Sequence, residues 1–315
     1  MDLNKKELMN LWRNTFKDSE AFIKLFFDRI YKKELVQFIK KEGKIVSALY
    51  ILPYTLNFYG KKINTGYIYA ASTIPTERGK GNMHQLIQQA FDVMKSKNIS
   101  LCVTIPATSS LFHFYKELGF TEAFDYSLEC YTRPSEPEEE EKLILVVPPT
   151  VPSIETLYNY FDRKQRERSC YLLHTFEDFI TILRDIQLSG GQMLTALNLL
   201  EEPVGMIFFH PNTDHIYVNE LFYDHIRIKE LLLQEATVQY NVQKALYRTP
   251  AIGRQAIPLG LAHIINKEHL IHNWICTHGN SPLNEDKIKA MDHSTLTHLL
   301  LGYNSREAYM SLMFD

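Results

Sequence analysis

Ala70-Ala71-Ser72-Thr73-Ile74-Pro75-Thr76-Glu77-Arg78-Gly79-Lys80-Gly81-Asn82-Met83 is the stretch that decides the fold. Small and β-branched residues up to Ile74 read as the end of a strand, and Pro75 breaks it. Arg78 to Gly81 then make a basic glycine loop, and a helical pattern opens at Asn82. Glycines let backbone N–H groups turn toward an anion, and the positive helix terminus behind them favours a phosphate. The loop is therefore a candidate pyrophosphate cradle, with an exposed turn carrying solvated cations as the plain alternative. A G-x-x-x-x-G-K-S/T loop is excluded by spacing and by the missing hydroxyl, and G-x-G-x-x-G fails after Gly81. Leu188-Ser189-Gly190-Gly191-Gln192 spells a transporter-ATPase signature, but its glycines follow a helix. It reads as a helix C-cap before a strand.

Outward from the loop, the periodicity is mixed. Upstream, Leu8, Leu11, Trp12 and Phe16, then Phe22, Leu25, Phe26 and Ile30, recur at helical spacing and predict two opening helices. Runs at 35–39, 45–51 and 63–74, separated by Glu42-Gly43 and Gly60-Lys61, predict an antiparallel meander. Downstream, the pattern predicts a helix over 82–97, a strand over 101–105, a helix over 109–118 and a strand over 120–131. Arg133-Pro134-Ser135-Glu136-Pro137 and the acidic run to Glu141 break the composition and mark a boundary. Beyond a short strand at 143–147, helices at 154–166 and 176–188, strands at 193–200, 204–209 and 216–222, and a helix at 228–241 partly repeat the first order. Helices at 267–275 and 294–301 close the chain. The fold class is α/β, of the α+β type with mixed sheets. The division expected is 1–133, a linker at 134–142, a second domain at 143–258 and a short helical subdomain and tail at 259–315.

The formal net charge of -3, from 34 Lys+Arg against 37 Asp+Glu, gives no basic field for nucleic acid. No apolar run approaches the roughly 18 residues a membrane helix needs, so no membrane partner and a cytoplasmic location are expected. Cys102, Cys130, Cys170 and Cys276 form no C-x-x-C pair and read as reduced, small packed residues. His269, His272, Cys276 and His278 are all metal-competent types, but their spacing fits no standard zinc site, and no metal is expected.

Arg78-Gly79-Lys80-Gly81 after a strand resembles the acetyl-CoA loop, Q/R-x-x-G-x-G/A, of the GNAT N-acetyltransferase superfamily, with Met83 where that family usually carries Gly or Ala. Phe114-Tyr115-Lys116-Glu117-Leu118-Gly119-Phe120 resembles the family's F-Y-x-x-x-G-F helix end. A second half without a glycine loop, and a chain ending in Tyr309-Met310-Ser311-Leu312-Met313-Phe314-Asp315, is similar to the Eis-type N-acetyltransferases, with their sterol-carrier-like part shortened.

The resemblance implies two tandem GNAT-like acyl-CoA N-acyltransferase domains, with acetyl-CoA as cosubstrate. Ser72, Thr73, Ile74, Arg78, Gly79, Lys80, Gly81 and Asn82 would hold it, with backbone N–H groups near Ser72, Thr73 and Ile74 meeting charge that develops on the thioester oxygen. Tyr115 would be the acid for the leaving thiolate, and Asp315, carrying the chain's terminal carboxylate, the base. A base is required because an alkylamine with a pKa of about 10.4 is cationic at neutral pH. Phe222-Tyr223-Asp224-His225-Ile226-Arg227 contains no glycine, so the second half is expected to be a scaffold. The acceptor implied is a primary amine: aminoglycoside-like, polyamine-like or a lysine side chain. A homo-oligomer is left open, and a noncatalytic acyl-CoA sensor is the alternative.

Overall fold

The computed structural model describes residues 3–134, 144–146, 152–253, 255–279 and 283–314. Most of the expected acidic linker lies outside them. Packing divides the chain into two units that interleave in sequence, Met1–Phe124 with Pro258–Asn304, and Asp125–Ile257 with Ser305–Asp315.

In the first unit, α1 (Leu3–Thr15) and α2 (Glu20–Arg29) bury Leu8, Leu11 and Trp12, and Ile23, Leu25, Phe26 and Phe27. Ser19 caps α2 by accepting from the Phe22 N–H at 3.1 Å, which satisfies one of the first-turn donors. An antiparallel meander follows, of β1 (Val36–Lys41), β2 (Lys44–Phe58) and β3 (Lys61–Thr73). α3 (Asn82–Ser96) lays Leu86, Ile87, Ala90 and Met94 on Leu49, Ile51 and Ile68. β4 (Leu101–Thr104) pairs parallel to β3, then come α4 (Ser109–Glu117) and β5 (Thr121–Thr132).

The second unit continues with β6 (Ile144–Val146), α5 (Ile154–Arg166), β7 (Tyr171–Leu173) and α6 (Phe176–Leu188). β8 (Gln192–Leu197), β9 (Pro203–Pro211), β10 (His215–Tyr223), α7 (Ile226–Gln239) and β11 (Lys244–Pro250) complete it. β6, β8, β9 and β10 are antiparallel neighbours, β11 pairs parallel to β10, and β5 runs antiparallel to β11 from Tyr126 onward. α6 ends as expected at its glycines: Gly190 takes φ 79°, and the Gly191 N–H donates to Ile186 O at 2.7 Å.

β12 (Ile257–Ile264) returns the chain to the first unit, where it pairs antiparallel with β4, setting His263 opposite Cys102. α8 (Lys267–Thr277), α9 (Glu285–Lys289) and α10 (His293–Leu300) follow there. Residues 259–315 thus do not pack as one appended body. β12 gives β4 its second strand partner, and the tail joins the second unit, with Leu312 and Phe314 against Leu157, Phe161 and Phe179. The cysteines also divide: Cys102 and Cys170 are buried, whereas Cys130 and Cys276 are exposed and are not packing residues. Among the described residues no helix is long and apolar enough to cross a membrane.

Candidate active site

The site begins where two parallel strands part. β3 pairs with β4 only over Thr65 to Tyr67 against Leu101 to Val103, yet β3 runs on to Thr73. At the split, the Thr104 hydroxyl donates to Ile68 O at 3.1 Å, so a side chain replaces the lost ladder bond. Further along β3, Ala70 and Ala71 together stand opposite Leu49, because the register passes from Ala48↔Ser72 to Tyr50↔Tyr69. This is a β-bulge, and Ala70 adopts φ 47° within it. A bulge of this kind takes backbone groups out of the ladder and re-aims them.

Tyr115 stands at the closed end of the split, hydrogen-bonded to Thr104. It is held there by the end of α4. The Phe120 N–H donates to Tyr115 O at 3.1 Å and the Gly119 N–H to Lys116 O at 2.9 Å. With Gly119 at φ 85°, this is a Schellman motif, and the Tyr115 and Phe120 rings meet at 5.4 Å as its hydrophobic contact. The Y-x-x-x-G-F spacing is therefore a helix-stop geometry that fixes the tyrosine. Gly119 is also required by its neighbour, since a Cβ there would lie 3.2 Å from the His263 ring. Burial pushes the Tyr115 phenol up to about 12, with Cys102 adding to the shift and the Thr104 hydrogen bond opposing it. At neutral pH it is fully protonated.

The glycine loop follows the far end of β3. Gly79 and Gly81 both have left-handed backbone, at φ 72° and 77°, and a Cβ at either would meet nothing within 4 Å. Gly81 is the N-cap of α3 and offers no side chain there. Among the described residues, the N–H groups of Gly79, Lys80, Gly81 and Asn82 donate to no protein acceptor. Arg78 folds back, its Nε donating to Thr73 O at 3.1 Å, and Asn82 Nδ2 donates to Glu77 O at 3.0 Å. Met83 is half-buried and packs inward on the core beneath α3, so it leaves the loop open. The residues present fit a diphosphate: free amides, positive helix end, adjacent cations and room.

Of the expected site residues, Ser72 and Thr73 end β3, Arg78 to Gly81 form the loop, Asn82 opens α3 and Tyr115 lies in α4, with three qualifications. The Ile74 N–H already donates to Val46 O at 3.0 Å, so it is not a free oxyanion donor. Ala70 and Ala71, which sequence reasoning passed over, carry the bulge instead; two small residues interrupting a β-branched and aromatic run are the signal that could have found them. Asp315 lies outside the described residues. An open cavity of about 590 Å³ flanks α4, lined by Pro106, Thr108, Ser109, Phe112, Lys116 and Pro258.

The histidines and cysteine singled out for metal go separate ways. His269 bonds Ser100 Oγ at 2.7 Å, His278 stacks on Trp274 at 4.4 Å, and His272 stands 3.8 Å from Cys276 Sγ. No three His, Cys, Asp or Glu converge as a metal site among the described residues. In the second unit, only Asp224 and His225 separate β10 from α7, and Asp224 is paired with Arg163 at 3.0 Å. A carboxylate thus stands where the first unit has its loop.

A family model for the acetyltransferase (GNAT) domain matches residues 4–123. No curated protein matches the sequence. A GCN5-related N-acetyltransferase from Anabaena variabilis has a similar structure, with TM-score 0.71, 17% identity, and 86% of this chain and 73% of that chain covered. A conserved protein of Enterococcus faecalis, named as a probable N-acyltransferase, also has TM-score 0.71, at 14% identity over 84% of this chain and 70% of that one. Eis1 from Mycobacterium abscessus has TM-score 0.63 at 11% identity, over 85% of this chain and 72% of that one. Residues 4–123 thus match the acetyltransferase (GNAT) domain model, and the fold of the chain is one it shares with these N-acetyltransferase structures.

Proposed function

We propose that this chain is an acetyl-CoA-dependent N-acetyltransferase that acts on a primary amine, of aminoglycoside-like, polyamine-like or lysine type. The observation that carries the reading is the split between β3 and β4, with a protonated Tyr115 at its closed end and a basic glycine loop beyond its open end. Acetyl-CoA, when bound, supplies the acetyl thioester. The amides of Gly79 to Asn82, with Arg78, hold its diphosphate. Backbone donors at the Ala70–Ala71 bulge and at Thr73 stabilise charge on the acetyl oxygen.

Tyr115 acts as a hydrogen-bond donor to the leaving sulfur. A thiol with a pKa of about 8.5 is a stronger acid than a phenol near 12, so complete proton transfer from Tyr115 is uphill and water finishes the protonation. Asp315, through its side-chain carboxylate, is the proposed acceptor of the amine proton. A free aspartate carboxylate with a pKa of about 3.9 is a weak base, so this role requires burial or a relaying water.

The test is an acetyl-transfer assay on a panel of aminoglycosides, polyamines and lysine peptides, using the wild type and Tyr115→Phe. Acetylation of an amine by the wild type, reduced in the variant, supports the reading. Acetyl-CoA binding without acetylation of any amine would favour a noncatalytic acyl-CoA sensor.

A further inference from the structure

Beside the glycine loop stands a charge cluster of which the cofactor reading names only Lys80. Glu77 receives Lys41 Nζ on Oε2 at 2.5 Å and Lys80 Nζ on Oε1 at 2.8 Å. Lys41 ends β1 and lies far upstream of the loop. The β1–β2 hairpin, pairing Lys41 with Lys44, delivers it there.

The carboxylate is the covered member, 16% exposed, while Lys41 and Lys80 are 43% and 53% exposed. It is also braced from below, since Asn82, itself buried, donates to both Glu77 O and Glu77 Oε2, at 3.0 and 3.4 Å. The two lysines hold its pKa down to about 2, so it stays charged across the working range.

One carboxylate thus gathers two ammonium groups within roughly 7 Å of each other, where they would otherwise repel. Exposed ion pairs add little to stability, so folding alone does not account for the arrangement. Both lysines remain partly exposed, and Lys80 belongs to the loop whose amides are free. Each ammonium has three donors and Glu77 takes one from each.

We propose that Lys41, paired with Lys80 across Glu77, binds a phosphate of the cofactor, making it a binding residue that lies outside the glycine loop. The inference rests on the acetyl-CoA reading above. Glu77 is the holder: it keeps both ammonium groups at the loop edge before the cofactor arrives, and a phosphate, with more charge and more acceptors, then bridges them from the solvent side. The backbone amides already suit the diphosphate, which leaves the lysine pair for the 3′-phosphomonoester.

The experiment is calorimetric titration of the full chain, as wild type, Lys41→Met and Lys62→Met, with acetyl-CoA and with its 3′-dephospho analogue. Lys62 is exposed and lies at the other end of β3, so it controls for loss of a surface charge. Lys41→Met should weaken acetyl-CoA by about tenfold, the scale of one charge-assisted contact, with Lys62→Met unchanged. A loss confined to acetyl-CoA assigns the phosphomonoester, and an equal loss for both ligands assigns the diphosphate; either sustains the proposal. If Lys41→Met behaves like Lys62→Met, the role of Lys41 falls and the cofactor reading stands. If the wild type binds neither ligand, the cofactor reading falls and takes this inference with it.

Discussion

Thr104 Oγ1 donates to Ile68 O at 3.1 Å at the point where β4 stops following β3. That single side chain both ends the ladder and supports the Tyr115 hydroxyl, so the geometry of the opening and the placing of the phenol share one residue. Thr104→Val keeps the shape and removes the hydroxyl, leaving Ile68 O and the buried phenol without it. It should cost about 1–3 kcal/mol of stability in denaturant unfolding.

Tyr115→Phe should lower kcat by about a hundredfold and leave the acetyl-CoA Kd unchanged. Steady-state kinetics and titration on the same preparation separate the two. An unchanged kcat would reduce Tyr115 to a packing residue.

The Tyr115 phenol has its pKa raised from 10.0 to about 12, chiefly by burial. The native state therefore keeps this proton between those values while the unfolded chain loses it. The contribution to stability is complete below pH 10 and is lost as the pH rises through about 12. A rate profile between pH 6 and 9 should show no limb from this group. Unfolding followed from pH 9 to 12 should be less steep in Tyr115→Phe than in the wild type.

His263 behaves in the opposite sense. Its ring stacks on Phe91 at 4.2 Å, its Nδ1 lies 2.8 Å from Gly119 O, and burial, with His293 adding, lowers its pKa from 6.5 to about 4. Its stabilising contribution, roughly 3 kcal/mol, is present above pH 6.5 and is lost as the pH falls through about 4. Melting curves between pH 4 and 7 should be flatter for His263→Phe. Gly119→Ala should destabilise by about 1–2 kcal/mol at all pH values, because it meets both a left-handed backbone and the His263 ring.

In the second unit, Arg168 grips Glu220 through two bonds of 2.7 and 3.0 Å, beneath the Tyr171, Phe222 and Tyr309 rings. Ser311 Oγ also donates to Glu220, which ties the tail to this pair. Glu220→Gln should cost about 3–5 kcal/mol, because Arg168 is left without its counter-charge. Deleting Asp315 alone removes no buried apolar residue and should leave the melting temperature unchanged while lowering turnover. Full activity after that deletion would remove Asp315 from the mechanism.

The loop and the Y-x-x-x-G-F helix end were legible because each is a local backbone geometry written in glycines. Gly79, Gly81, Gly119 and Gly190 all adopt positive φ where their spacing implied a turn or a cap. What could not be read depends on distant partners. β12 contains Pro258 and Gly260, which weaken any strand signal, and it forms because β4 offers an edge. β11 interleaves Lys244, Arg248 and Pro250 with apolar residues and is held by β5 and β10. β2 runs on to Phe58, past an exposed Pro53 that reads as a stop. The bulge at Ala70 was missed for the same reason, since a register shift exists only between two strands. The return of residues 258–304 to the first unit is likewise a property of pairing, not of composition.

The central claim is that the glycine loop binds acetyl-CoA, and calorimetric titration of the wild type beside Gly81→Val tests it most directly. The account predicts one site per chain in the wild type and a much weaker one in the variant, because valine resists the φ of 77° that turns the loop amides outward. No binding in the wild type, or equal binding by both proteins, would contradict it.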